Sequence, residues 1–158
     1  MSFLFTPNHV QLIAACYPPS ASLLTSGPDY HPNAQELSRL TYYAANKPGK
    51  INKLGNELQK RIKFEGRKAL SNNPRFRSSV IPSNWHIFSL TLILSSLLIS
   101  LSIFKALATE CRRDISLLTS SLLASVESVL STFPSDIEVS AKAANLASSS
   151  FRVVWIYI

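Results

Sequence analysis

Residues 36–68 read ELSRLTYYAANKPGKINKLGNELQKRIKFEGRK, and this stretch decides the fold class. Leu37, Leu40, Tyr43 and Ala44 recur at three- and four-residue intervals, which places them on one side of a helix. Pro48-Gly49 stops that helix. Ile51, Leu54, Leu58 and Ile62 then draw an apolar stripe along a second helix. Lys50, Lys53, Lys60 and Lys63 fall off that stripe, so one face packs while another stays cationic, the long Lys stems lying along the helix. Two amphipathic helices joined by a short turn predict an all-α chain.

The same stretch carries most of the charge. Ten of the sixteen Lys and Arg residues fall between Lys47 and Arg77, against only Glu57 and Glu65. The whole chain has a net charge of +7, so the remainder is close to neutral. A localised positive block seeks a polyanion, and the candidates are an anionic lipid surface and nucleic acid. Nucleic acid is disfavoured because from Lys47 to Lys68 Phe64 alone among aromatic residues interleaves with the cations, and no recognition motif is present.

Working outward, residues 1–35 form a Pro-rich lead-in in which a short helix runs from about Asn8 to Cys16, with Val10, Ile13 and Ala14 on one face. The segment has no early Lys or Arg and makes a poor secretory signal, and Ser2 offers no site for N-myristoylation. Residues 69–86 lose the helical period and read as an irregular loop. Residues 87–104 contain no charge, and Asp114 is placed to cap a helix bearing Ile115, Leu118, Leu122, Val126, Val129 and Leu130. Pro134 ends that helix, and Ser135-Asp136-Ile137-Glu138 has capping-box spacing for a further one through about Leu146. Residues 105–150 therefore read as a helical pair, with 151–158 as an atypical tail.

The uncharged segment has three readings. Its length meets the requirement for a membrane-spanning helix, although Ser89, Thr91, Ser95, Ser96, Ser100 and Ser102 lower the gain from insertion. A buried core helix has the same composition. Third, a run of Phe, Ser, Leu and Ile is what a pyrimidine-rich coding strand translates into, so an unspliced insertion fits as well.

The chemistry of sites is sparse. Cys16 and Cys111 stand far apart without metal-ligand spacing, and such sparse cysteines suit a reducing compartment. Cys16 reads as a small packed residue, and Tyr42 and Tyr43 as core or groove packing. His9, His31 and His86 have no ligand partner at useful spacing. No nucleophile elbow, P-loop or zinc motif occurs, so no catalytic residue, metal site or cofactor is expected.

Two segments resemble the N-terminus of the eighty-five-requiring family, plasma-membrane anchors of the type III phosphatidylinositol 4-kinase complex. The first is Phe5-Thr6-Pro7-Asn8-His9, then Leu12 and Cys16-Tyr17-Pro18; the second is Glu36 to Ala44, then Pro48, Lys50, Lys53-Leu54-Gly55, Leu58 and Arg61. A weaker third match covers Phe104 to Asp114. The resemblance implies the incomplete N-terminus of an armadillo- or HEAT-like helical-repeat protein, here with one extra hydrophobic helix. It also implies peripheral attachment to the cytosolic leaflet of the plasma membrane and recruitment of kinase-complex subunits. Animal relatives use a palmitoylated cysteine cluster that this chain lacks. Attachment here is expected to rest on acidic phospholipid bound by Lys47, Lys50, Lys53, Lys60, Arg61, Lys63, Arg67 and Lys68. Residues 69–101 and 151–158 match nothing in the family's run, which favours the insertion reading over a spanning helix. A single-pass membrane protein spanning at 87–104 is the alternative function, with a nucleic-acid-binding module behind it.

Overall fold

A computed structural model describes residues 7–19, 30–71, 83–132 and 141–148, with side chains throughout these except at 69–71 and 83–91. The described residues are helical with no strand among them: α1 (Asn8–Ala15), α2 (Ala34–Asn46), α3 (Ile51–Ser71), α4 (Ser83–Glu110), α5 (Ile115–Thr132) and α6 over residues 141–148. The chain is all-α, as its periodicity predicts.

Local chemistry sets the boundaries. Asn33 caps α2, its Oδ1 accepting hydrogen bonds from the backbone N–H groups of Gln35 at 3.1 Å and Glu36 at 3.3 Å. Pro48–Lys50 forms a 3-10 turn between α2 and α3. A second 3-10 turn, Arg112–Asp114, precedes α5, so Asp114 belongs to that turn rather than acting as a simple cap. The helix α3 continues to Ser71, beyond the periodic stripe, and α4 begins at Ser83, inside the expected loop. Pro134 and the Ser135–Glu138 capping box lie outside the described residues.

The basic helix is the hub of the array: α3 packs most extensively on α5, next on α4, and also on α1. Its buried face is Ile51, Leu54, Gly55, Leu58, Ile62 and Gly66. Against it α5 sets Leu118, Ser121, Leu122, Ser125, Val126 and Val129. A Cβ on Gly55 would run into Ser121 and Leu118, and one on Gly66 would meet Thr132 Oγ1 at 3.4 Å. The two contacts advance along both helices together, so α3 and α5 are parallel, with α4 joining them in the chain. Alternate helices stacked in parallel are the geometry by which helical repeats bury a continuous core. Ser121 and Ser125 keep the approach close. Their hydroxyls donate back to the carbonyls of Leu118 at 2.9 Å and Ser121 at 2.6 Å, so neither of these two hydroxyls is stranded at the crossing.

The uncharged segment packs as a core helix. Leu97, Leu98, Ile99, Leu101, Ile103, Phe104 and Leu107 of α4 are all buried. Leu92–Glu110 is long and apolar enough to cross a membrane, as is Arg112–Thr132, but 61% of the first stretch's most apolar window is already covered by protein. Three of the hydroxyls that weaken it as a lipid-facing helix are satisfied internally. Ser95 donates to Leu92 O at 2.9 Å, Ser102 to Leu98 O at 2.9 Å and Ser100 to Ser96 O at 2.8 Å. Ser100 also shares a 2.7 Å hydrogen bond with the Tyr17 hydroxyl, tying α4 to the end of α1.

At the N-terminal end, Leu12, Ile13, Cys16 and Tyr17 face the core, while Ala14 is exposed, so the inward side of α1 is rotated from the expected one. Cys16 is fully buried as expected, and burial, reinforced by the Glu36 carboxylate, pushes its thiol up from 9.0 to about 11. Tyr43 packs on the core, but Tyr42 does not, being 74% exposed.

Candidate functional site

The cations of α3 separate into two environments. Lys53, Lys60, Lys63 and Arg67 lie on the side of the helix opposite Ile51, Leu58 and Ile62, and all four are exposed. None of the four has an ion-pair partner among the described residues. From Lys53 to Arg67 the ridge extends about 21 Å along the helix at 1.5 Å per residue. Lys50 extends it from the preceding 3-10 turn. Lys47 lies at the end of α2 with its ammonium 5.1 Å from the Tyr43 ring centroid.

The carboxylates of α3 are kept off the ridge. Glu57 and Glu65 are half-buried on one flank, where Glu57 faces Arg61 at 3.9 Å and Glu65 faces Lys68 at 3.3 Å. The outward surface therefore presents positive charge without an interleaved negative one, the arrangement that retains attraction for an external anion.

Arg61 stands apart from the other expected lipid-binding residues. Its guanidinium lies 5.0 Å from the Tyr17 ring centroid and its side chain is only 31% exposed. With Tyr17 and Ser100 it forms a polar junction where α1, α3 and α4 meet, and burial raises the Tyr17 pKa there. The Arg61 guanidinium is thus turned toward Tyr17 and Glu57, whereas Lys53, Lys60, Lys63 and Arg67 are exposed.

Sequence periodicity places the ridge correctly but passes over Phe64, which is 58% exposed among the cations. The signal was available: Phe64 is out of step with the stripe Ile51–Leu54–Leu58–Ile62 and so points away from the core. On its inner side the ring borders a cleft of about 370 Å³ shared by Lys60, Arg61, Glu57, Glu65 and Ser96. Among the described residues no group of three or more His, Cys, Asp or Glu side chains converges to hold a metal.

The chain as a whole is similar to known proteins. The chain is 47% identical over 116 residues to Protein EFR3 of Cryptococcus neoformans var. neoformans serotype D (strain JEC21), covering 73% of this chain and 10% of that protein. It is 35% identical over 144 residues to Protein EFR3 of Mycosarcoma maydis, covering 87% of this chain and 12% of that protein. Protein EFR3 of Debaryomyces hansenii is 29% identical over 127 residues, or 80% of this chain. The chain thus spans about a tenth of the length of these relatives. No family model matches it, and no solved structure does. Identity of this extent over most of the chain establishes that it belongs to the EFR3 family.

Proposed function

We propose that this chain is a non-enzymatic, membrane-peripheral part of a plasma-membrane scaffold. Its α3 ridge binds acidic phospholipids of the cytosolic leaflet, and its helical array contributes to recruiting a phosphatidylinositol 4-kinase complex. The observation that carries the reading is the unpaired row Lys53, Lys60, Lys63 and Arg67 on the outward face of a helix whose other face is core. Each cation held near an anionic leaflet contributes roughly 1 kcal/mol, so four or five suffice for reversible attachment. The attraction is screened over about 8 Å at physiological ionic strength.

The test is co-sedimentation of the full chain with vesicles containing phosphatidylserine. Binding is expected to fall steeply between low and high salt, and to be abolished when Lys53, Lys60, Lys63 and Arg67 are all changed to Ala. Unaltered binding by that variant sinks the electrostatic reading, and stronger retention on nucleic acid than on these vesicles turns the ridge into a nucleic-acid surface. The length of Leu92–Glu110 favours a second reading, a helix that spans the bilayer. Resistance of the membrane-bound chain to alkaline carbonate extraction would support it, whereas electrostatic attachment is released.

A further inference from the structure

Phe64 is a large apolar side chain, 58% exposed, on the face of α3 that otherwise carries charge. Lys60 lies one turn before it and Lys68 one turn after it on the same row of the helix, while Lys63 and Arg67 occupy the adjoining row. The Lys68 ammonium sits 4.3 Å from the ring centroid, so charge rather than packing covers the ring. Tyr42, Leu117, Leu123 and Leu130 are the other large apolar side chains left in solvent among the described residues, and none of them is on α3. An exposed ring costs apolar hydration and gives this fold no core contact in return. Lysines alone would keep a helix at the level of the headgroups, because their ammonium groups stay hydrated. A ring flanked by Lys60, Lys63, Arg67 and Lys68, with Glu57 and Glu65 only on its inner side, matches a bilayer interface in depth, with acyl carbon below it and phosphates around it.

We propose that Phe64 inserts into the membrane: when the ridge meets an anionic bilayer, the ring enters the boundary between headgroups and acyl chains while Lys60, Lys63, Arg67 and Lys68 engage the surrounding phosphates. This rests on the ridge being the lipid-binding surface. It adds a component of binding that salt does not screen, since burial of the ring depends on apolar area and not on charge.

Vesicle partitioning of the full chain with Phe64→Ala, Phe64→Leu and Phe64→Trp variants tests this, with helix content monitored by circular dichroism. On phosphatidylserine-containing vesicles, Phe64→Ala is expected to lower the partition coefficient roughly tenfold, with Phe64→Leu and Phe64→Trp close to the parent chain. The residual binding of the parent chain at 0.5 M salt should be the part that Phe64→Ala loses, on the order of the whole residue. In Phe64→Trp, the added emission after subtracting that of Trp85 and Trp155 should shift to the blue and be quenched by shallowly brominated lipid. If Phe64→Ala binds like the parent while the four-cation variant does not bind, insertion is overturned and the electrostatic surface stands. If the four-cation variant also binds normally, both fall. Absence of quenching in Phe64→Trp overturns insertion even if Phe64→Ala proves unstable. An equal loss of Phe64→Ala binding to single-stranded DNA and to vesicles assigns the ring to base stacking instead.

Discussion

Arg61 and Lys63 are two residues apart on one helix, yet they have different work. Arg61 is turned toward Tyr17 and Glu57, whereas Lys63 points outward with no partner among the described residues. Arg61→Ala is therefore expected to lower stability by about 1 kcal/mol in urea denaturation while leaving vesicle binding intact. Lys63→Ala should do the opposite, weakening binding several-fold with no change in the unfolding midpoint. Cys16 supplies a pH signature at the same scale. Its thiol keeps its proton to about pH 11 in the folded chain but releases it near pH 9.0 once unfolded. Both states are protonated below pH 9, so the contribution of Cys16 is full there. Between pH 9 and 11 only the unfolded chain ionises, and stability falls by up to about 2–3 kcal/mol. Comparing the unfolding free energies of the parent and Cys16→Ala across pH 7–11 checks this, because the loss above pH 9 should be smaller in the variant, where only groups such as Tyr17 and Cys111, also raised by burial, still contribute. Native Cys16 should also resist alkylation at pH 8, since burial withholds the thiolate.

Among the elements, the pairing of α3 with α5 depends on small residues at the crossing. Replacing Gly55 by Ala gains about 1 kcal/mol of helix propensity. The added methyl collides with Ser121 and Leu118, and overpacking of this kind costs about 1–3 kcal/mol. Gly55→Ala is expected to be net destabilising, and combining it with Ser121→Gly should recover part of the loss. A double-mutant cycle by chemical denaturation measures that coupling; strict additivity would show that the helices can move apart freely. The existence and faces of α2, α3 and α5 were legible in the sequence, because Leu37/Leu40/Ala44, Ile51/Leu54/Leu58/Ile62 and Ile115/Leu118/Leu122 each repeat at the helical period. The C-terminal end of α3 was not legible, since nothing in the apolar pattern after Ile62 states that the helix continues to Ser71. Nor was the rotation of α1, where Ala14 and Leu12 compete for the inward side and only the neighbouring helices choose between them.

In the whole molecule, the helix that carries the cations is also the one on which α1, α4 and α5 pack. The proposed binding surface and the core are opposite faces of α3, so core damage should reach the ridge through loss of the helix itself. Phe104, the largest fully buried side chain among the described residues, tests this. Phe104→Ala is expected to cost about 3–5 kcal/mol, a large share of the 5–15 kcal/mol typical of a domain, and to abolish vesicle binding at temperatures where helix content falls. Binding that persists after the array has melted would mean that α3 acts as an isolated peptide. The sequence by itself determined that the chain is helical, that its charge lies in one block, and that this block belongs to the N-terminal region of one family. Each of these is written in residue type and spacing along a single helix. What only the tertiary structure decided is the fate of individual side chains: Arg61 drawn to Tyr17, Tyr42 left in solvent, and the uncharged run of α4 enclosed by its neighbours. Those outcomes depend on which helix stands beside which, and contacts between helices leave no period in the sequence from which to read them.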